Sequence, residues 1–408
     1  MMMTPAARPL HRARRLTRAL LFAGVLAPAT LSAQVSTTAQ SPQETEERID
    51  GPTYARVAIG FTQIYDDNVF YVSNSEHPTS DLVSRFGPTF EVGRHSRRLE
   101  LTARYGMSAE RYLTRTDLNR DLAYQDGGFK IRYNFTPRRV LTVDGQYLDT
   151  HSPQDLNLTS GITTGRARGE RLMVHGGIAQ DLTRLTKLTA EAEAANDTFA
   201  ETNSTLTQKA RLGLAWQPSL RSTYRLDARA RYITFNFLLH NEFGQPYRDT
   251  GAQNAQILTG GWTYALTPLM SFDIDAGPRL AAGEWSPEFS GTVRRRTQKG
   301  ELSAGFVSTQ DTVLGEPGFV DVRRVNVALS VTPVRPLTLS AMPAYARTTW
   351  HGDQVDVREL DVDIIIRVLR RLSVTASARV SDQSGLRDGV EDPLETRRLW
   401  LATTLTLP

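Results

Sequence analysis

The sequence predicts an all-β protein, a single transmembrane antiparallel up-and-down β-barrel of about 18 strands, with 16 as the alternative count. Three observations support this prediction. Apolar and polar residues alternate in segment after segment, as they do in strands whose two faces meet different surroundings. Short turns and longer loops alternate between these segments. The N-terminus is basic and then apolar, which is the pattern of an export signal.

Residues 1–33 have the composition of a signal peptide. Five arginines between positions 8 and 18 form the basic part, and the apolar run 19–27 follows them. That run is too short to span a membrane as an anchor. Small residues end at Ala33, but Ala27-Pro28-Ala29 fits the preference for small residues at a cleavage site better, so two cleavage positions stay open.

The net charge of the whole chain overstates its basic character. The 408 residues include 48 Lys+Arg and 44 Asp+Glu, a net charge of +4. Residues 1–33 hold five arginines and no acid, so 43 basic residues remain against 44 acidic ones after cleavage, a net charge of −1. Nucleic acid therefore loses its compositional support as a partner. The absence of Cys excludes disulfides and thiolate metal sites.

Residues 34–52 are polar and acidic, with little apolar surface to bury. We interpret them as a flexible periplasmic segment that leads into the first strand, and an arm that binds a partner is the alternative. Residues 53–408 are predicted to form the outer-membrane barrel.

The hairpin at residues 127–148 shows the repeating unit. Apolar side chains at 129, 131, 133 and 135 alternate with polar ones, and the turn Thr136-Pro137-Arg138-Arg139 precedes a second alternating segment. Eighteen such segments are predicted, at residues 53–65, 80–93, 98–113, 121–135, 139–151, 169–181, 186–199, 205–217, 222–237, 250–266, 269–283, 287–297, 300–312, 319–331, 336–349, 354–368, 371–383 and 395–407.

The unequal connections predict the orientation of the barrel. Short corners are expected on the periplasmic rim together with both ends of the barrel, and longer connections on the extracellular rim, as at 66–79, 152–168, 238–249 and 384–394. A soluble β-solenoid or sandwich would also alternate, but the export signal and the paired short and long connections favour the barrel. The last strand ends on Leu407-Pro408, whereas outer-membrane barrels usually end on an aromatic residue.

Several short motifs resemble a known family. They are Tyr65-Asp66-Asp67-Asn68-Val69-Phe70, Gly87-Pro88-Thr89-Phe90, the spaced residues Leu99, Leu101, Tyr105 and Tyr112, and later Gly277-Pro278-Arg279-Leu280. Together they resemble the β-barrel porin family that includes EpsL-like exopolysaccharide proteins, with the specific motif at residues 65–112. The resemblance implies an outer-membrane barrel, associated in many members with exopolysaccharide export. Its candidate partners are outer-membrane lipid, polysaccharide and periplasmic export components, and it brings no catalytic residues or cofactor.

No metal or catalytic site is predicted. Asp66-Asp67-Asn68 offers oxygen ligands for a divalent cation, but an Asx turn that caps the loop is the favoured interpretation. The seven His form no HExxH pair, and the sequence lacks GxSxG and P-loop motifs. Asp149, His151 and Ser152 come nearest to a catalytic triad, but on a strand His151 and Ser152 would point to opposite faces. An outer-membrane enzyme is therefore the least favoured function.

The polar strand faces are predicted to line the lumen. In the segment 222–237, Arg225, Asp227, Arg229 and Arg231 all fall on one face. A lipid-facing charge near the bilayer midplane costs about 2–4 kcal/mol, so this face is expected to point inward. The candidate substrate path consists of Lys209, Arg211, Arg225, Arg229, Arg231, Arg279, Arg294 and Arg296.

These cations admit two interpretations. They attract anionic solutes, because Arg binds carboxylate and phosphate groups bidentately, or acids of the same wall neutralise them. In the hairpin formed by 205–217 and 222–237, only Asp227 is expected to offset them locally. The predicted function is a channel for exopolysaccharide export or for diffusion of anionic or sugar solutes. A structural or assembly barrel whose lumen is closed by long loops is the alternative.

Overall fold

The computed structural model describes residues 53–152, 155–157, 159–163, 165–240, 245–350, 353–387, 390–391 and 393–407. The predicted signal peptide at 1–33 and the predicted periplasmic segment at 34–52 lie outside the described residues. Eighteen long strands form the wall, with bounds β1 Thr53–Asp66, β2 Asp81–His95, β3 Leu99–Tyr112, β4 Arg120–Thr136, β5 Arg139–Thr150, β6 Gly169–Asp181, β7 Thr186–Phe199, β8 Asn203–Trp216, β9 Ser222–His240, β10 Pro246–Thr267, β11 Met270–Ala281, β12 Glu284–Thr297, β13 Gly300–Asp311, β14 Val320–Val334, β15 Leu337–Trp350, β16 Asp353–Leu369, β17 Leu372–Arg387 and β18 Leu394–Leu407.

The wall closes on itself. Each strand pairs antiparallel with the next one in sequence, and β1 pairs with β18 from Val57↔Leu407 to Asp66↔Arg398. Closure leaves no unpaired sheet edge, which is the requirement for a sheet that crosses a lipid bilayer. The prediction of an antiparallel barrel with 18 strands is confirmed, and the alternative of 16 is wrong. The described residues contain no helix of the length and hydropathy needed to cross a membrane.

One predicted long loop is mostly strand. β9 and β10 continue to His240 and Pro246, which pair with each other, so most of the segment 238–249 belongs to a two-stranded ribbon. Phe237 is buried and Asn236 is paired on both sides, to Ser204 of β8 and to Thr250 of β10. The predicted connection at 384–394 is likewise partly strand, because β17 runs to Arg387. Polar residues in these segments suggested loops, but cross-strand pairing extends the strands through them.

The outward strand face is apolar and exposed, as lipid contact requires. In β8 and β9, Leu212 and Leu226 point outward with about half of their surface exposed. The charged residues that alternate with the outward residues along each strand point inward. Near the short-turn rim, Trp216 stacks on Tyr224 at 5.7 Å between ring centroids, and Tyr224 stacks on Trp262 at 6.5 Å. Such aromatic girdles mark the interface of a bilayer with water.

Apolar packing inside the barrel is concentrated at the long-loop end. Ile162 lies in a cluster with wall residues from three neighbouring strands, namely Val320, Val322, Ala346, Val355 and Val357, together with Val313 of the β13–β14 loop. Smaller clusters form around Val69 and around Leu156 and Leu314. Since Val69, Leu156, Ile162 and Leu314 belong to loops, these loops fold into the lumen and fill part of its extracellular half.

Candidate functional site in the barrel lumen

The eight predicted lumen residues all have side chains on the inner face of the wall, where carboxylates surround most of them. Arg225 of β9 donates two hydrogen bonds of 2.8 Å to the two oxygens of Asp273, and a third of 2.8 Å to Asp275 Oδ2. Both acids belong to β11, so the Arg225 side chain reaches across the intervening strand β10. A guanidinium held by three charge-assisted hydrogen bonds is largely unavailable to a passing anion.

Gly261 of β10 makes this reach possible. A Cβ atom at position 261 would lie 2.1 Å from Asp275 Oδ1 and 3.0 Å from Arg225 Nε. The ion pair therefore occupies the space that any other side chain would fill. The neighbouring Gly260 differs, because a Cβ atom there would meet nothing within 4 Å.

The cations of β8 are paired with acids on both sides. Arg211 donates to Asp227 Oδ1 at 2.8 Å and to Glu191 Oε2 at 3.2 Å, and Lys209 donates to Glu193 at 2.9 Å. Glu191 and Glu193 stand directly opposite Arg211 and Lys209 in the register of β7 with β8. Cross-strand pairs of opposite charge stabilise a sheet, whereas like charges destabilise it.

Four of the remaining predicted cations share carboxylates nearer the two rims. Toward the extracellular rim, Arg231 and Arg279 approach the two oxygens of Glu288 at 2.8 Å and 3.1 Å. At the periplasmic end, Arg294 and Arg296 each lie 2.9 Å from Glu301. Asp227 is the only acid within the hairpin of β8 and β9, as the sequence indicated, and acids of β7, β11 and β12 supply the rest of the offset. Lys209, Arg211, Arg225, Arg229, Arg231 and Arg279 face six carboxylates, Glu191, Glu193, Asp227, Asp273, Asp275 and Glu288.

Arg229 is the exception within this balanced wall. Its nearest ion-pair contact joins Nη2 to Asp227 Oδ2 at 3.9 Å, and Asp227 is already engaged with Arg211. Arg229 Nε has no hydrogen-bond partner in the described part of the chain. The register places Arg229 directly opposite Arg211, and Arg231 follows two residues later on the same face. Arg229 is thus the cation of the patch that, among the described residues, has no carboxylate within hydrogen-bonding distance.

The lumen differs between its two ends. Near the short turns the wall side chains are open to the interior, and we call this half, lined by Arg225, Asp273, Arg294 and Glu301, the periplasmic vestibule. The Asp273 side chain is 39% exposed there, whereas Arg324 near the long loops is only 7% exposed. Exposed charges keep the vestibule hydrated, and the extracellular half is packed.

The β5–β6 connection, residues 151–168, crosses the packed half of the lumen, and we call it the bridging loop. It leaves the wall at β5 and contacts β14 and β17, where Thr163 N donates to Gln383 Oε1 at 3.0 Å. β5 and β14 are nine strands apart in either direction around the wall, so the loop spans the lumen. Of the long connections named from the sequence, 152–168 therefore folds inward, whereas 238–249 lies mostly in the β9–β10 ribbon.

Wall arginines that sequence reasoning did not single out hold the bridging loop. Arg324 donates one bond to Glu359 at 2.8 Å and another to Thr159 O at 3.2 Å. Arg171 pairs with Asp197 at 2.6 Å and donates to Leu156 O at 3.0 Å. In each case a wall acid fixes the guanidinium, and its remaining N–H satisfies a loop carbonyl that would otherwise be buried without a partner. Their strand parity indicates an inward position, but their loop partners depend on how the loop crosses the lumen.

The motif Asp66-Asp67-Asn68 stabilises the β1–β2 loop and the barrel seam. Asn68 N donates to Asp66 Oδ1 at 3.0 Å, which is the predicted Asx turn, and Val72 N donates to Asn68 Oδ1 at 3.1 Å. Arg398 Nε donates to Asp66 Oδ2 at 2.7 Å, which ties β18 to β1. These oxygens are engaged with the protein. The described residues contain no group of three His, Asp or Glu side chains arranged to hold a metal ion.

The three residues considered as a triad have separate partners. Asp149 accepts two hydrogen bonds from Arg168, at 3.1 Å and 2.9 Å, and His151 Nδ1 lies 3.2 Å from Ala123 O. Ser152 Oγ accepts from Tyr71 Oη at 3.2 Å. These contacts anchor the start of the bridging loop to the wall and to the β1–β2 loop.

One acid of the bridging loop has a shifted pKa. Burial raises the pKa of the Asp155 carboxyl above its ordinary value of 3.8, and Glu110 acts in the same direction. The guanidinium groups of Arg379 and Arg85 and a hydrogen bond from Thr150 oppose this shift without cancelling it. The protonated form of Asp155 therefore fits the docked loop better than the charged form.

Comparison with known proteins adds little detail. No protein-family model matches the sequence, and no curated protein is significantly similar to it. Among solved structures, the siderophore receptor PirA from Pseudomonas aeruginosa aligns at 9% identity and a TM-score of 0.44 over 87% of this chain and 80% of its own. OccAB3 from Acinetobacter baumannii aligns at 11% identity and a TM-score of 0.44, over 86% of this chain and 99% of its own. OccK11 (OpdR) from Pseudomonas aeruginosa aligns at 13% identity and a TM-score of 0.44, over 87% of this chain and 96% of its own.

The conclusion on fold and location rests on the chain itself. A wall of 18 paired strands without an open edge, an apolar outer face and an aromatic girdle is suited to a bilayer, and a closed barrel of this kind belongs in an outer membrane. The protein is an outer-membrane β-barrel with a polar lumen, open near its short turns and bridged by a loop near its long ones.

Proposed function

We propose that this barrel is a gated channel for hydrophilic solutes, and that acidic polysaccharide or anionic sugar is the class of substrate it passes. The observation that carries the proposal is the charged periplasmic vestibule beneath loops that fill the extracellular half, among which the bridging loop spans the lumen. A barrel of 18 strands is wide enough for an aqueous path unless something fills it. Here the filling consists of loops, and the bridging loop is joined to the wall by hydrogen bonds and two apolar clusters, which makes it a removable obstruction.

The choice of substrate follows from the chemistry of the wall. A balanced set of carboxylates and guanidinium groups offers hydrogen bonds to sugar hydroxyls without strong attraction for either ion sign. Arg229 adds a partly exposed cation whose nearest carboxylate oxygen is 3.9 Å away, which favours carboxylate or phosphate groups on the sugar. The resemblance to the family that includes EpsL-like proteins supports polysaccharide export, with entry from the open vestibule.

A second candidate is a structural barrel that does not conduct. The packing of Ile162 against six buried apolar residues favours it, because this cluster holds the bridging loop as a folded core would. The two functions differ in whether the loop ever leaves the wall.

A cross-linking experiment in planar bilayers tests the proposal. The chain has no Cys, so Thr163→Cys with Gln383→Cys supplies the only thiols, at a position where the bridging loop contacts the wall. We expect stepwise currents from the double variant, loss of current after treatment with a short bifunctional methanethiosulfonate, and recovery after reduction. Each single-cysteine variant is the control and keeps its current after the same treatment.

The substrate class is tested on the same membranes. Oligogalacturonate added on the vestibule side is expected to interrupt the current more often than a neutral oligosaccharide of the same length, and Arg229→Gln is expected to reduce that difference. Folded protein that stays silent, both intact and with the bridging loop deleted, would favour the structural barrel instead.

A further inference from the structure

The short turns between the strands form a ring of positive charge. The eight turns are residues 96–98, 137–138, 182–185, 217–221, 268–269, 298–299, 335–336 and 370–371. Seven of them carry a basic residue, and none contains Asp or Glu. The nine cations, which we call the turn ring, are Arg97, Arg98, Arg138, Arg184, Arg221, Lys299, Arg335, Arg370 and Arg371.

Among the described residues, the turn ring has no counter-charge in ion-pair contact. All nine residues are exposed, and none of their side chains makes an ion pair or hydrogen bond in the described part of the chain. This contrasts with the lumen wall, where most arginines have carboxylate partners. It also contrasts with the described loops of the opposite rim, where acids outnumber arginines. A ring of like charges without ion pairs among the described residues favours an anionic partner.

Exposed leucines lie beside these cations. Leu220 is 95% exposed in the same turn as Arg221, Leu182 and Leu185 flank Arg184, and Leu369 precedes Arg370. A soluble polyanion gains nothing from contact with a leucine side chain. A lipid leaflet satisfies both residue types, because leucine enters the acyl region while the arginine head stays among the headgroup phosphates.

The position of the ring relative to the aromatic girdle supports the same partner. Trp216 ends β8 and Tyr224 lies near the start of β9, and these two stacked rings face outward on either side of the turn 217–221. Aromatic girdles lie at the level of the interface. The turn residues therefore lie just beyond it, at the depth of the lipid headgroups of the periplasmic leaflet.

We propose that the turn ring is a binding surface for anionic phospholipid headgroups of the periplasmic leaflet. The surface holds the short-turn end of the barrel at a fixed depth through paired leucine and arginine contacts. This role is independent of whether the lumen conducts.

Native mass spectrometry of the full folded barrel tests the proposal, with phosphatidylglycerol and phosphatidylcholine of the same chain length as probes. The wild-type protein is expected to retain phosphatidylglycerol in preference, and added salt is expected to weaken this preference. A turn variant with Arg184→Gln, Arg335→Gln, Arg370→Gln and Arg371→Gln should lose the preference by about tenfold or more. A variant with Lys at the same four positions should keep most of the preference for phosphatidylglycerol.

A matched control removes the same charge from the other rim. It carries Arg115→Gln, Arg120→Gln, Arg248→Gln and Arg323→Gln, which lie at the long-loop end of the barrel. This control is expected to retain the preference for phosphatidylglycerol. Equal losses in the two variants would reduce the effect to net charge and overturn the proposal. Displacement of bound phosphatidylglycerol by soluble polygalacturonate would overturn it in favour of a polyanion site, and retained preference in the Gln variant would remove the ring from lipid binding altogether.

Discussion

Removing the side chain of Ile162 should release the bridging loop without unfolding the barrel. Ile162 is 1% exposed and lies in a cluster with Val320, Val322 and four other buried apolar residues. Truncation of such a residue to Ala costs about 2–5 kcal/mol. We take the lower part of this range, about 2–3 kcal/mol, because a loop can relax into the space more easily than a strand. At 1.4 kcal/mol per factor of ten, the ratio of undocked to docked loop rises about 30- to 150-fold.

Hydrogen exchange of the loop amides measures this change whether or not the channel conducts. The amide of Gly161 donates to Asn157 O at 2.7 Å, and that of Thr163 donates to Gln383. Both bonds belong to the docked loop, so their exchange in Ile162→Ala should accelerate by the same factor as the undocked population. Strand amides of the wall should exchange as slowly as before. In bilayers, the same variant should show more frequent openings.

Leu113 supplies the matched control. It lies in the β3–β4 loop on the same rim but is 70% exposed, so Leu113→Ala should change the exchange of the bridging loop by less than about twofold. Unchanged loop exchange in Ile162→Ala, with the barrel folded, would refute the reasoning that this cluster holds the loop in the lumen.

Three other predictions follow from the lumen wall and the loop. Arg225→Gln should lower the free energy of unfolding by about 1–3 kcal/mol more than Arg229→Gln, because only the first leaves two aspartates without their partner; denaturant unfolding in lipid would contradict this if the two variants were equally stable. Gly261→Ala should cost about 1–3 kcal/mol by displacing the ion pair beside it, whereas Gly260→Ala should be nearly neutral, and equal midpoints for both would exclude the proposed close approach. The docked loop raises the pKa of Asp155, so the protonated carboxyl stabilises docking. This stabilisation is fully present below pH 3.8 and is lost as the pH rises through the raised pKa. Loop exchange should therefore be slower at pH 4 than at pH 7 after correction for intrinsic rates, and a difference that persists in Asp155→Asn would assign the effect to another group.

The sequence by itself determined the architecture of the wall. A period of two in hydrophobicity assigns each residue to a face, as for Arg225 and Leu226, and this holds wherever lipid and water lie on opposite sides of one strand. Each strand pairs with its neighbour in the chain, so strand order follows from the order of the segments. The number of strands and the inward position of the arginines were therefore predictable.

The tertiary structure decided which charges meet and whether the lumen is open. Arg225 of β9 contacts Asp275 of β11 across Gly261 of β10. Thr163 contacts Gln383, which lies 220 residues later in the sequence. Such contacts depend on the stagger of the strands around the closed wall and on the path of a loop across the lumen. Alternation carries no information about either, because it fixes the direction of a side chain but not its neighbours from distant strands. For this reason the sequence left two interpretations open, namely arginines that attract anionic solutes and arginines that acids of the same wall neutralise. In the fold, acids of the wall neutralise most of these arginines, and Arg229 has the fewest partners.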